Sequence, residues 1–175
     1  LLEAGEAETG LHALAASLSS PEEMTLLFRY AGRCEEAGAD AAAAAAYELY
    51  VDRLPAAPQR YQALLQLATI HQRLGRHADA AETYAALAAE NPGRREAEEA
   101  LLALGRLQLE VLRDPEGASR SLTAALASSP RGPRAAAILA LLAQCAVGRG
   151  DLDLAEAHMI RRLGLDPAAA NAVRY

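Results

Sequence analysis

The side chains able to do chemistry are few: histidines at His12, His71, His77 and His158, cysteines at Cys34 and Cys145, and a carboxylate run at Glu96, Glu98 and Glu99. A zinc centre needs histidines at ligand spacing with a further donor, and a phosphate site needs a glycine-rich loop opening a helix. Neither pattern occurs. His71 falls within an apolar stripe of Leu64, Leu67, Ala68 and Leu74, so it reads as a core imidazole whose polar edge is satisfied. The glutamates read as one solvated helix face. No catalytic, cofactor-binding or metal-binding residue is expected, and the chain reads as a non-enzyme that needs no cofactor.

The elements that carry these residues are helical. Alanine supplies about a quarter of the chain, there is one Phe and no Trp, and β-branched residues are scarce, so helix is favoured nearly everywhere. The clearest stretch is 61–94, two amphipathic helices joined at Gly75 and closed by Asn91-Pro92-Gly93. Elsewhere Ser20-Pro21-Glu22-Glu23 is a helix start, with Ser20 as N-cap. Asp40 is placed to cap the alanine tract Ala41–Ala46, and Asp114-Pro115 to open a later helix in a turn without glycine.

These pairs repeat. The centre of each first helix is Tyr30-Ala31, Leu67-Ala68, Leu104-Gly105 and Leu142-Ala143, at spacings of 37, 37 and 38 residues. An alanine near the start of each second helix recurs at Ala43, Ala80, Ala118 and Ala155. Prolines open units at Pro21, Pro58 and Pro133, and close them at Pro55, Pro92, Pro130 and Pro167. The units run 21–57, 58–94, 95–132 and 133–169, with a partial repeat (second helix only) at 1–20 and the start of a further helix at 170–175. A pair of this kind cannot bury its apolar faces alone, so the units are expected to stack.

The small residues at the helix centres, the alanines opening the second helices and the closing prolines resemble the tetratricopeptide repeat. The strongest match is Leu67-Ala68, Gly75, Ala80, Tyr84 and Pro92. The resemblance implies an all-α fold, an α-α superhelix or solenoid of antiparallel helix pairs. The period of about 37 residues leaves room for roughly one extra turn in each first helix at ~1.5 Å per residue, and it is similar to bacterial envelope-associated members.

The same resemblance implies a non-catalytic protein–protein interaction scaffold, with first helices lining a concave groove that holds a peptide or helix of a partner. Carried onto this sequence, the groove residues are Phe28 and Glu35, then Leu65, Thr69 and Gln72, then Leu102, Arg106 and Leu109, then Gln144 and Val147. Gly32 and Ala140 lie on the same stripe. Two other roles stay open. One is a regulatory or targeting arm of a multidomain enzyme or of an envelope secretion or assembly complex; the other is a self-assembling oligomer formed through the exposed ends of the array.

A net charge of −6 disfavours nucleic acid as partner, because phosphate-binding surfaces concentrate positive charge. All 17 basic residues are arginine, which together with the alanine content suggests a bacterial, GC-rich coding bias. No apolar run is long enough to span a bilayer, so direct membrane insertion is not expected. Cys34 and Cys145 fall three repeats apart, too far for a disulfide, and are expected to be buried thiols. The repeat spacing leans toward periplasm or envelope and the unpaired thiols toward cytoplasm.

Overall fold

The computed structural model describes residues 4–18, 20–90 and 95–165, and these are helical throughout their regular elements. The helices are α1 (Ala4–Ser17), α2 (Pro21–Glu36), α3 (Asp40–Arg53), α4 (Arg60–Arg73), α5 (His77–Glu90), α6 (Arg95–Glu110), α7 (Pro115–Ser128), α8 (Ala135–Gly148) and α9 (Leu152–Leu165). The chain divides into two compact units, Leu1–Tyr84 and Ala85–Tyr175, with the division inside α5. Asn91, Pro92 and Gly93, Asp166, Pro167 and the helix start expected at 170–175 lie outside the described residues.

In the first unit, α2 and α3 form an antiparallel pair and α4 packs on α3. The alanine tract works as its composition suggests: Ala42, Ala43, Ala44 and Ala46 are buried, and Tyr47, Tyr50 and Val51 continue the packed face. The Phe28 ring packs edge-on to Tyr47, with centroids 5.6 Å apart, and tilted against Tyr50 at 5.5 Å. Such offset arrangements add to the burial of the rings themselves.

In the second unit, α6 pairs with α7 and α8 with α9, and α8 also packs on α7. Its core gathers Leu122, Ala125 and Leu126 from α7 with Ile138, Leu139, Leu142 and Cys145 from α8. Close approach depends on Gly105: a Cβ there would stand 2.6 Å from Leu122 Cγ. Cys34 and Cys145 are free, buried thiols, and burial pushes both above the ordinary thiol range.

The turns within pairs show how the backbone reverses. Gly38, Gly75 and Gly150 take φ of +75°, +72° and +78°, in the left-handed region that glycine enters at little cost. At the glycine-free turn Arg113 does the same work at φ 56°. Ser20 and Glu23 form the reciprocal capping box, and Asp114 caps α7 by accepting from Gly117 N at 2.8 Å.

Several sequence expectations need correction. Pro58 and Pro133 lie in turns ahead of their helices, which begin at Arg60 and Ala135, whereas Pro21 is in the first turn of α2. The physical reason is local: Arg60 N bonds Ala57 O and Ala135 N bonds Gly132 O, so a tight turn precedes each helix. Asp40 is inside α3 and makes no cap bond; the N-cap is Ala39, because the Asp40 carboxylate is drawn to Arg73. His71 is buried at 5% exposure as expected, yet its Nδ1 has no hydrogen-bond partner among the described residues. Asp79 stands 3.6 Å from Nδ1 and Glu48 3.5 Å from Nε2, beyond good hydrogen-bond length.

Candidate functional site

The first-helix residues singled out for a binding face fall into two sets, one in each unit. In the first unit Phe28 and Glu35 come from α2 and Leu65, Thr69 and Gln72 from α4; all five are half-buried. Their polar groups are largely engaged from within. Thr69 Oγ1 donates to Leu65 O at 2.9 Å, which satisfies the hydroxyl inside its own helix. Gln72 Nε2 donates to Tyr84 Oη at 2.8 Å, linking α4 to α5.

Glu35 is held most firmly. Arg73, at the end of α4, donates from Nη1 to Glu35 at 3.0 Å and from Nε and Nη2 to both Asp40 oxygens at 3.0 and 2.6 Å. The bidentate fork matches the planar carboxylate, a geometry lysine could not supply. Hydrogen bonds from Arg73 hold the Asp40 carboxyl below the ordinary carboxylate range. Beneath them Tyr47 is pushed up to about 12, first by burial and then by the Glu35 charge. No sequence signal pointed to this cluster, because Arg73 and Asp40 are 33 residues apart with no motif to join them.

In the second unit Leu102, Arg106 and Leu109 come from α6, and Gln144 and Val147 from the adjoining α8. Leu102 belongs to the core and keeps 9% exposure, and Leu109 packs half-buried against that core. Arg106 and Gln144 are exposed. Val147 is exposed to 56%, a β-branched apolar side chain at the surface of α8. Other apolar side chains at the surface include Val111 and Leu112 just after α6, and Leu152, Met159 and Ile160 on α9.

Among the described residues no cluster of histidine, cysteine and carboxylate groups could hold a metal ion. No helix among them is long and apolar enough to cross a membrane.

Two family models described as tetratricopeptide repeat match the sequence, one over residues 62–93 and the other over 102–170. The chain is a tetratricopeptide repeat array. Its all-α solenoid class is shared with solved structures of low sequence identity. A tetratricopeptide repeat protein from Parabacteroides merdae matches at TM-score 0.71 and 19% identity, over 83% of this chain and 54% of its own. MamA from Desulfovibrio magneticus (residues 41 to the end) matches at TM-score 0.65 and 17% identity, covering 94% and 88%. BtubC from P. vanneervenii matches at TM-score 0.63 and 18% identity, covering 98% and 73%. No curated protein matches by sequence. Tetratricopeptide arrays are in general non-catalytic scaffolds for protein partners, and this coarse function comes with the family.

Proposed function

We propose that the array holds a peptide or helix of a partner protein on its first-helix faces: Phe28, Glu35, Leu65, Thr69 and Gln72 in the first unit, and Leu102, Arg106, Leu109, Gln144 and Val147 in the second. The observation that carries the reading is Val147, exposed to 56% on a first helix whose other large apolar residues, Ile138, Leu139, Leu141 and Leu142, are buried. An apolar side chain left at the surface beside hydrogen-bonding neighbours suits recognition of an apolar anchor with a polar rim. Leu102 contributes from beneath, by supporting the floor, since it has little surface to offer a partner.

The test is a pull-down comparing the native chain with Leu65→Glu and Val147→Glu, whose side chains are partly exposed and whose replacement leaves the core intact. Partners recovered by the native chain should be lost or strongly depleted with the variants, at unchanged helical circular dichroism. Equal recovery would sink the reading.

A second reading, self-association, is favoured by Leu152 and Ile160, which leave α9 with apolar surface at 67% and 61% exposure. Light scattering over a range of concentrations separates the two: a strictly monomeric species counts against self-association and leaves the partner reading standing.

A further inference from the structure

The turn between α3 and α4 carries two prolines, Pro55 and Pro58. Each ring fixes its own φ near about −65°, and the backbone is closed on itself by Ala57 N to Leu54 O at 3.2 Å and Arg60 N to Ala57 O at 3.0 Å. The turn is therefore stiff. Together with Thr25 of α2 and Arg53, the last residue of α3, it bounds an open pocket of about 420 Å³. A space of that size falls within the roughly 300–1,000 Å³ of small-molecule sites, and its walls are apolar: Leu54, the two prolines, Ala56 and Ala57. None of the lining residues belongs to the proposed partner-binding face.

The polar groups at this pocket share one character. Gln59 Oε1 accepts from Tyr50 Oη at 3.0 Å, which holds the carboxamide and leaves its Nε2 as the end free to donate. Arg53 is exposed, and among the described residues no carboxylate stands within ion-pair reach of it. Apolar walls thus meet a guanidinium without a counter-charge and an amide donor. A carboxylate satisfies both, since it accepts charge-assisted hydrogen bonds from each. An amine is repelled by Arg53, and a dicarboxylate would leave its second charge desolvated against the prolines.

We infer that the α3–α4 turn binds a small amphipathic monocarboxylate, with a branched aliphatic or single-ring aromatic body against Leu54 and the prolines and its carboxylate paired to Arg53 and Gln59 Nε2. The site is separate from the proposed partner-binding face and does not rest on it.

The experiment is two-dimensional amide NMR of the full chain, titrated with phenylbutanoate and octanoate, and with phenylbutylamine, octanol and adipate as controls. Phenylbutanoate or octanoate should saturate at roughly millimolar concentration or below, with shift changes gathered on Thr25 and residues 53–60. The amine, the alcohol and the dicarboxylate should each bind about tenfold more weakly or worse. Arg53→Gln and Gln59→Glu should each weaken the monocarboxylate about tenfold. Gln59→Glu keeps the acceptor for Tyr50 Oη and exchanges only the donor for a charge, so an unchanged spectrum elsewhere separates lost binding from lost fold. The inference is overturned if neither monocarboxylate saturates, if octanol or the amine binds as well, if the shifts gather elsewhere, or if both variants bind like the native chain. Acidic peptides that shift these amides where the monocarboxylates do not would make the turn a protein-docking site and equally overturn it.

Discussion

At the scale of single residues, the polar cluster on α2, α3 and α4 shows how burial and charge share control of a site. Tyr47 is buried beneath Glu35, and its phenol is held protonated to about pH 12. In the unfolded chain a tyrosine ionises near 10. The folded value lies above the unfolded one, so this contribution to stability is fully present below pH ~10 and disappears as pH rises toward about 12. Urea midpoints measured at rising pH should therefore fall across that window, and Tyr47→Phe should flatten the decline; an unchanged slope in the variant would refute the assignment. Asp40 has the opposite sign. Its folded value is depressed by Arg73, so its contribution is present above the unfolded value of about 4 and is lost as pH falls further. The stability gap between the native chain and Arg73→Gln should narrow as acid is added below pH ~4, and a gap that stays constant would show that the pair is energetically silent.

At the scale of elements, the turns and crossings separate residues required by backbone conformation from residues required by packing. Arg113 occupies left-handed backbone that costs a residue with a Cβ about 1–2 kcal/mol. Arg113→Gly is expected to stabilise the protein by about 1 kcal/mol in urea unfolding, since the new residue fits the turn already adopted by Gly38, Gly75 and Gly150. Gly105 is the reverse case. Alanine would improve helix propensity there by about 1 kcal/mol, but the contact with Leu122 is too close for a Cβ, and overpacking costs about 1–3 kcal/mol. Gly105→Ala should be neutral to destabilising, by up to about 2 kcal/mol. A clear rise in thermal midpoint would refute the close approach of Leu122 to Gly105 at the α6–α7 crossing. Gly32→Ala, where an added Cβ would meet only Tyr47 Oη at an ordinary 3.8 Å, should by contrast raise the thermal midpoint.

At the scale of the whole molecule, composition narrows the partners more than any site does. With a net charge of −6, the 17 arginines are outnumbered by 23 carboxylates, so the chain has no excess of the positive charge on which counterion release depends. Electrophoretic mobility shift with single- or double-stranded DNA should show no saturable binding even at low salt; a saturable, salt-sensitive complex would overturn the protein-partner reading. The low identity to solved structures that share the fold, 19% for the Parabacteroides merdae protein, is consistent with a scaffold specified by pattern. Small residues at crossings and apolar residues at helical spacing are enough to hold such a fold, which leaves the remaining surface free to diverge.

Much of the architecture was legible in the residues themselves. The recurrence of Ala43, Ala80, Ala118 and Ala155, all buried, sets out the second helices because a small side chain is needed wherever two helices approach closely. Caps such as Ser20 and Asp114 announced helix starts through bonds to backbone only three residues away. Local chemistry of that kind is written in order along a sequence. The candidate face was less legible, since spacing on a helix tells which residues share a stripe and not which of them a neighbouring helix will cover. Leu102 and Val147 stood in the same predicted stripe, and only packing put one in the core and the other at the surface. The Arg73–Asp40–Glu35 cluster joins residues more than thirty positions apart. No local pattern encodes such a meeting, because it exists only once α4 lies against α3.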